Sequence, residues 1–302
     1  MLLSQDVPIL LTLLSAAVTA ILAGSLLLPR GQIMISEAAS HAVLPGLILG
    51  FVLSGDHGWE VLLGAVLVIA LFVVGVGWLR TRHSFGAGVE IAALFPIFFG
   101  VGIIALSLTG LEDTGMIDVD HILFGSLELL LWFELVDWQD LLRPVVWTSA
   151  PPQMTASLAS CVLGLSLCLL AYPFINRSLM DQRCMTLKTP VGAAVVKVLE
   201  TLVIALAAAA CLRAAGVVVA IALFSAPVIA GWAFARTLWQ VWLWAIAVAM
   251  LAIILTYATS LAALAVLGVE PRLSGILALW VVALATLAAP LARQLKRARP
   301  LP

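Results

Sequence analysis

The sequence predicts an all-α, polytopic membrane protein with about nine transmembrane helices (eight to ten). Composition, hydropathy and spacing all point there. The 302 residues are 64% hydrophobic and 10% charged, whereas a soluble domain carries about 25% charged residues. Mean hydropathy is +1.19. Apolar runs near the roughly 20 residues that cross a bilayer recur along the whole chain. No linker or low-complexity tract divides it, so 1–302 reads as one transmembrane domain. The net charge of −1 gives nucleic acid nothing to hold. Cys161, Cys168, Cys184 and Cys211 lack any paired spacing and read as small apolar fillers.

The predicted helices run in order. The first, 8–28, has no basic residue before it and reads as a membrane helix rather than a cleaved leader. The second, 40–55, is short and holds Pro45-Gly46, which predicts a broken or tilted span. Then come 59–79 and 89–109, the latter opened by Glu90, whose carboxylate suits a helix N-terminus. The stretch 132–155 follows as an irregular outer loop, its Trp132, Trp138 and Trp147 suited to the membrane interface. Beyond it lie 156–176 and 191–212. Thr189-Pro190 starts the second of these, and Glu200 is placed to pair with Lys197. The last three are 216–235, rich in small residues that permit close packing and kinked at Pro227, then 241–267 and 274–292.

Basic residues set the orientation. Nine crossings with a cytoplasmic C-terminus put Arg30, Arg80, Arg82, Arg177, Arg183, Lys188, Lys197, Arg236, Arg293, Lys296, Arg297 and Arg299 inside. Only Arg143, Arg213 and Arg272 of the 15 fall outside. A full crossing over 118–135 is the alternative, and it would invert every helix before it.

Two segments carry the chemistry. Glu37 and His41 stand in S-E-A-A-S-H-A-V-L-P-G, and Asp118 and His121 in I-D-V-D-H-I-L-F-G-S. Residues three or four apart share a helix face. A charge at the bilayer centre costs about 2.5–3.5 kcal/mol on insertion scales, so these groups need a cavity, a partner or a cation. Two imidazoles and two carboxylates suit zinc, manganese or ferrous iron, and the absence of nearby cysteine or methionine argues against copper(I). The plainer reading has each acid hydrogen-bond its own histidine and glue helices together. His57 reads as a solvated turn residue and His83 as an interfacial one.

No G-x-x-x-x-G-K-[ST] occurs, so any ATP-driven transport needs an ATPase on a separate chain. The polar inner loop 176–190 has the composition of a short amphipathic helix, a handle for another protein.

S-E-A-A-S-H-A-V-L-P-G, D-x-D-H-I-L-F-G-S and the run from Pro190 through Val217-Val218-Val219 to Ser225-Ala226-Pro227 closely resemble the permease subunits of the metal ABC importer family. The similarity extends over about residues 30–290. The resemblance implies a helical fold like that of vitamin B12 and siderophore importers. It implies import of Zn2+, Mn2+ or Fe2+ across a bacterial cytoplasmic membrane, with no permanently bound cofactor. The implied partners are a second permease chain, identical or paralogous, a cytoplasmic ATPase dimer and an extracytoplasmic metal-binding protein. Carried over by motif, Glu37, His41, Asp118 and His121 form an intramembrane cation site. A coupling helix at about 178–190 brings Leu179, Met180, Asp181, Gln182 and Arg183 to the ATPase. Three departures stand out: Glu37 replaces the usual aspartate, the 132–155 loop is longer, and the pattern at Met180-Asp181 differs.

Other classes fit less well. An intramembrane metalloenzyme would hold catalytic zinc on the same residues, but H-E-x-x-H is missing and no further acid or base is poised beside them. A proton-coupled secondary transporter would relay protons through the carboxylates, yet no internal repeat is evident. A permease for a siderophore or corrinoid chelate would not need a compact acid-histidine cluster.

Overall fold

Lipid offers no partner to a backbone N–H or C=O, so a chain this apolar pairs those groups inside helices. The computed structural model describes residues 3–55, 59–82, 88–110, 127, 130–180, 190–268 and 272–298. Among them the long helices are α1 (Leu3–Leu27), α2 (Met34–Ala42), α3 (Leu44–Ser54), α4 (Trp59–Arg82), α5 (Val89–Thr109), α6 (Pro152–Met180), α7 (Pro190–Phe234), α8 (Leu238–Leu267) and α9 (Leu273–Ala298). Seven stretches are long and apolar enough to cross a membrane among the described residues, with α2 and α3 together forming one of them, Met34–Ser54.

The second span therefore starts at Met34, six residues before its predicted start at 40. It breaks where expected. Pro45 cannot donate to the His41 carbonyl, and the Val43 N–H serves that carbonyl instead. The α3 helix then restarts with Pro45 in its first turn. Beyond the break, α3 packs on α4 with Gly46 against Gly64 and Gly50 against Val61, backbone to backbone.

α7 is the hub of the fold. It packs most extensively on α1 and α9 and also touches α2, α4, α6 and α8. Its backbone leaves helical geometry at Gly216, with φ 78° and ψ 176°. That conformation is essentially restricted to glycine. Contacts with α1 show what the break does. Glu200 meets Arg30 beyond the far end of α1, and Cys211 donates to the Ala16 carbonyl midway along it. Phe224 then lies against Gly24, back near the far end. The chain climbs α1 before Gly216 and descends it afterwards, so α7 is a tight hairpin of two legs rather than one rod. The predicted boundary between 191–212 and 216–235 falls at this reversal. The predicted kink at Pro227 does not supply it; Gly216 does, because only glycine tolerates those angles.

The irregular stretch after α5 contains two short turns, Trp138–Leu142 and Val146–Ser149. Trp132 is not interfacial, as the sequence suggested: it is fully buried in a small cluster with Val7, Leu135, Val146 and Met154. Its indole N–H donates to the Val146 carbonyl, which removes the reason for such a ring to seek the interface. Trp138 stays exposed.

Two ion pairs occupy the basic end. Glu200 pairs at 2.5 Å with Arg30, not with Lys197 as the spacing suggested. The lysine instead reaches across to Gly77 of α4. Glu90 is buried and pairs at 3.2 Å with Arg80, while Gly88 takes the N-cap position expected for a cap from Glu90.

Candidate metal pathway

α2 presents two faces. Ile35, Ser36, Ala39, Ser40 and Ala42 are buried. The Ser36 and Ser40 hydroxyls donate to the Ile33 and Ser36 carbonyls, which leaves no polar atom unmatched on that side. The small residues let α2 pack on α7. The opposite face carries Met34, Glu37 and His41. Glu37 is exposed in the single chain and His41 half-buried.

These three side chains line one pocket of about 250 Å³ between α2 and the start of α5, completed by Ala38, Gly88, Ile91, Ala92 and Phe95. The His41 ring packs 5.5 Å from Phe95 and 6.1 Å from Phe99, centroid to centroid. Those two rings stack on each other at 6.0 Å. The aromatic pair restricts the imidazole while Glu37 approaches from the turn below. Pro96 adds another feature. It has no N–H for the carbonyl of Ala92, one of the residues lining the pocket.

Glu37 and His41 are thus brought together on one helix, as the spacing required. Asp118 and His121 lie outside the described residues, as do His57 and His83. Among the described residues no group of three or more His, Cys, Asp or Glu side chains converges. Met34 is the residue the sequence reading missed. The expectation that no methionine stands near the acid-histidine pair is corrected here. The signal was its position three residues before Glu37, on the same stripe once the helix starts at 34.

At the other expected contact, Leu179 is buried and Leu179-Met180 form the last turn of α6. Asp181, Gln182 and Arg183 lie outside the described residues.

A family described as the ABC 3 transport family matches residues 6–286. The chain belongs to the ABC 3 transport family. Among curated relatives, a membrane protein encoded in the ycf23-apcF intergenic region of Cyanophora paradoxa is 33% identical over 38% of this chain and 36% of its own length. The manganese transport system membrane protein MntC of Halalkalibacterium halodurans is 31% identical over 34% of this chain and 33% of its own length. The chain therefore matches about a third of those two relatives. The manganese import system permease protein ScaB of Streptococcus parasanguinis is 26% identical over 82% of this chain and 78% of its own length. The solved structure of PsaBC from Streptococcus pneumoniae in complex with Fab shares the fold of this ABC 3 member. It has a TM-score of 0.71 at 19% identity over 96% of this chain and 94% of that one.

Proposed function

We propose that this chain is the membrane permease subunit of an ATP-binding cassette importer for a divalent transition metal ion, with manganese the first metal to test. One observation carries the reading: a carboxylate and an imidazole share a pocket inside a membrane span. Such groups mark ion pathways because their burial in lipid is otherwise too costly. Relatives named as manganese permeases support the choice of ion. Glu37 supplies a hard oxygen and His41 a nitrogen. Asp118 and His121 complete a two-carboxylate, two-imidazole set that accepts manganese, ferrous iron or zinc.

The chain itself hydrolyses nothing in this reading. A separate ATPase docks around the end of α6, through Leu179, Met180, Asp181, Gln182 and Arg183. An extracytoplasmic binding protein delivers the ion, and a second permease chain closes the other side of the pathway. The assembly sits in a bacterial cytoplasmic membrane with the C-terminus inside.

The test is manganese uptake by cells expressing the full system, with zinc and iron as competitors. Glu37→Gln and His41→Ala should each cut uptake by about tenfold or more, the scale on which altering a metal site acts. Unchanged uptake in both variants at equal membrane abundance would reduce the pair to helix glue and remove the reading.

A further inference from the structure

We infer that Met34 is a third metal-facing donor of the α2 pocket and the residue through which it admits softer cations. The inference rests on the metal-permease reading and adds a determinant of its selectivity.

Helical geometry brings the three groups together. At about 100° per residue, Glu37 and His41 fall within roughly 60° of Met34 around the axis. Met34 stands about 4.5 Å below Glu37, and Glu37 about 6 Å below His41, at about 1.5 Å per residue. Side chains on a helix lean toward its N-terminus, so the imidazole leans toward the carboxylate and the carboxylate toward the thioether. All three line the same pocket.

Met34 is 59% exposed while its neighbour Ile35 is 3% exposed, so its side chain is not core filling. Nor does lipid explain it, because it shares its pocket with the Glu37 carboxylate, which cannot face hydrocarbon. A thioether is a soft, polarisable ligand. Added to one carboxylate and one imidazole, it shifts preference away from manganese and toward zinc, cadmium or copper(I). Leucine has nearly the same volume and no donor atom, so Met34→Leu removes the chemistry and keeps the packing.

The experiment uses the purified full-length chain in lipid nanodiscs, with Cd2+ and Mn2+ in competition and cadmium X-ray absorption to report sulfur neighbours. Wild type should show a sulfur neighbour to bound cadmium. Met34→Leu should lose it, with cadmium preference over manganese falling about tenfold, the lower end of what one altered group costs at a metal site. Met34→Cys should restore both. An unchanged preference and unchanged sulfur signal in Met34→Leu would overturn the inference while leaving the pocket intact. Unchanged binding of both metals in Glu37→Gln/His41→Ala would instead overturn the pocket as a metal site, and the inference with it.

Discussion

A Cβ at Gly24 would collide with the Phe224 carbonyl oxygen and lie 3.1 Å from Val228. Backbone cannot swing away as a flexible side chain can, so Gly24→Ala should destabilise the chain by roughly 1–3 kcal/mol, the usual cost of overpacking. Gly100, with nothing within 4 Å of its own added Cβ, is the control. There Gly100→Ala should stabilise α5 by about 0.5–1 kcal/mol through helix propensity. Thermal unfolding in detergent should separate the two in opposite directions, and a lower midpoint for both would refute the packing argument. Met34 shows how much of the site a sequence gives up at this scale. The Glu37–His41 spacing is legible because ionisable groups are rare here. Met34 is not, because methionine is ordinary in an apolar chain. Only the helix start at residue 34 puts it on the stripe.

Helix boundaries were legible at the level of elements wherever apolar runs ended in Gly, Pro or charge. Partners across space were not, because a local pattern cannot say which distant residue fills a site. Glu200 illustrates this: the lysine three residues away was the nearer candidate in sequence, and Arg30 the nearer in space. Since the pair is largely withdrawn from water, Glu200→Gln should cost on the order of 1–3 kcal/mol, the penalty of leaving a buried charge short of its partner. Arg30→Met with Glu200→Leu should recover much of it. A double-mutant cycle that proves additive would sink this claim. The turn at Trp138–Leu142 offers a pH signature. The Asp137 backbone N–H, then that of Val136 and the Arg143 guanidinium, hold the Asp140 carboxyl below its usual range, against a smaller opposing effect of burial. A carboxylate depressed in the folded state contributes stability above its unfolded value of about 3.9. That contribution fades as pH falls through the folded value. Fluorescence of Trp147, whose indole N–H donates to the Leu141 carbonyl, should change on acidification in the wild type. It should not follow the same titration in Asp140→Asn.

Burial grades across the whole molecule from hub to rim. The apolar window of Val196–Phe234 is 83% buried and that of Val89–Thr109 only 17%. The Glu37–His41 pocket thus lies between a helix seated on the hub and one at the rim. Orientation is testable in a background with Cys161 and Cys184 replaced by serine, since Cys168 and Cys211 are buried. Gln139→Cys should react with a membrane-impermeant maleimide in intact cells, and Arg82→Cys only after permeabilisation; the reverse pattern would invert the assigned topology. The hairpin at Gly216 has a further consequence, for biosynthesis. A reversal made at one residue leaves no extended loop to be threaded across the bilayer after the first leg has settled, only the Arg213 side chain three residues before it. Lys197 lies about two turns into one leg and Arg236 just past the end of the other, so the two charges sit at the same end of the hairpin. The hairpin therefore predicts that the two legs enter the membrane together rather than one after the other.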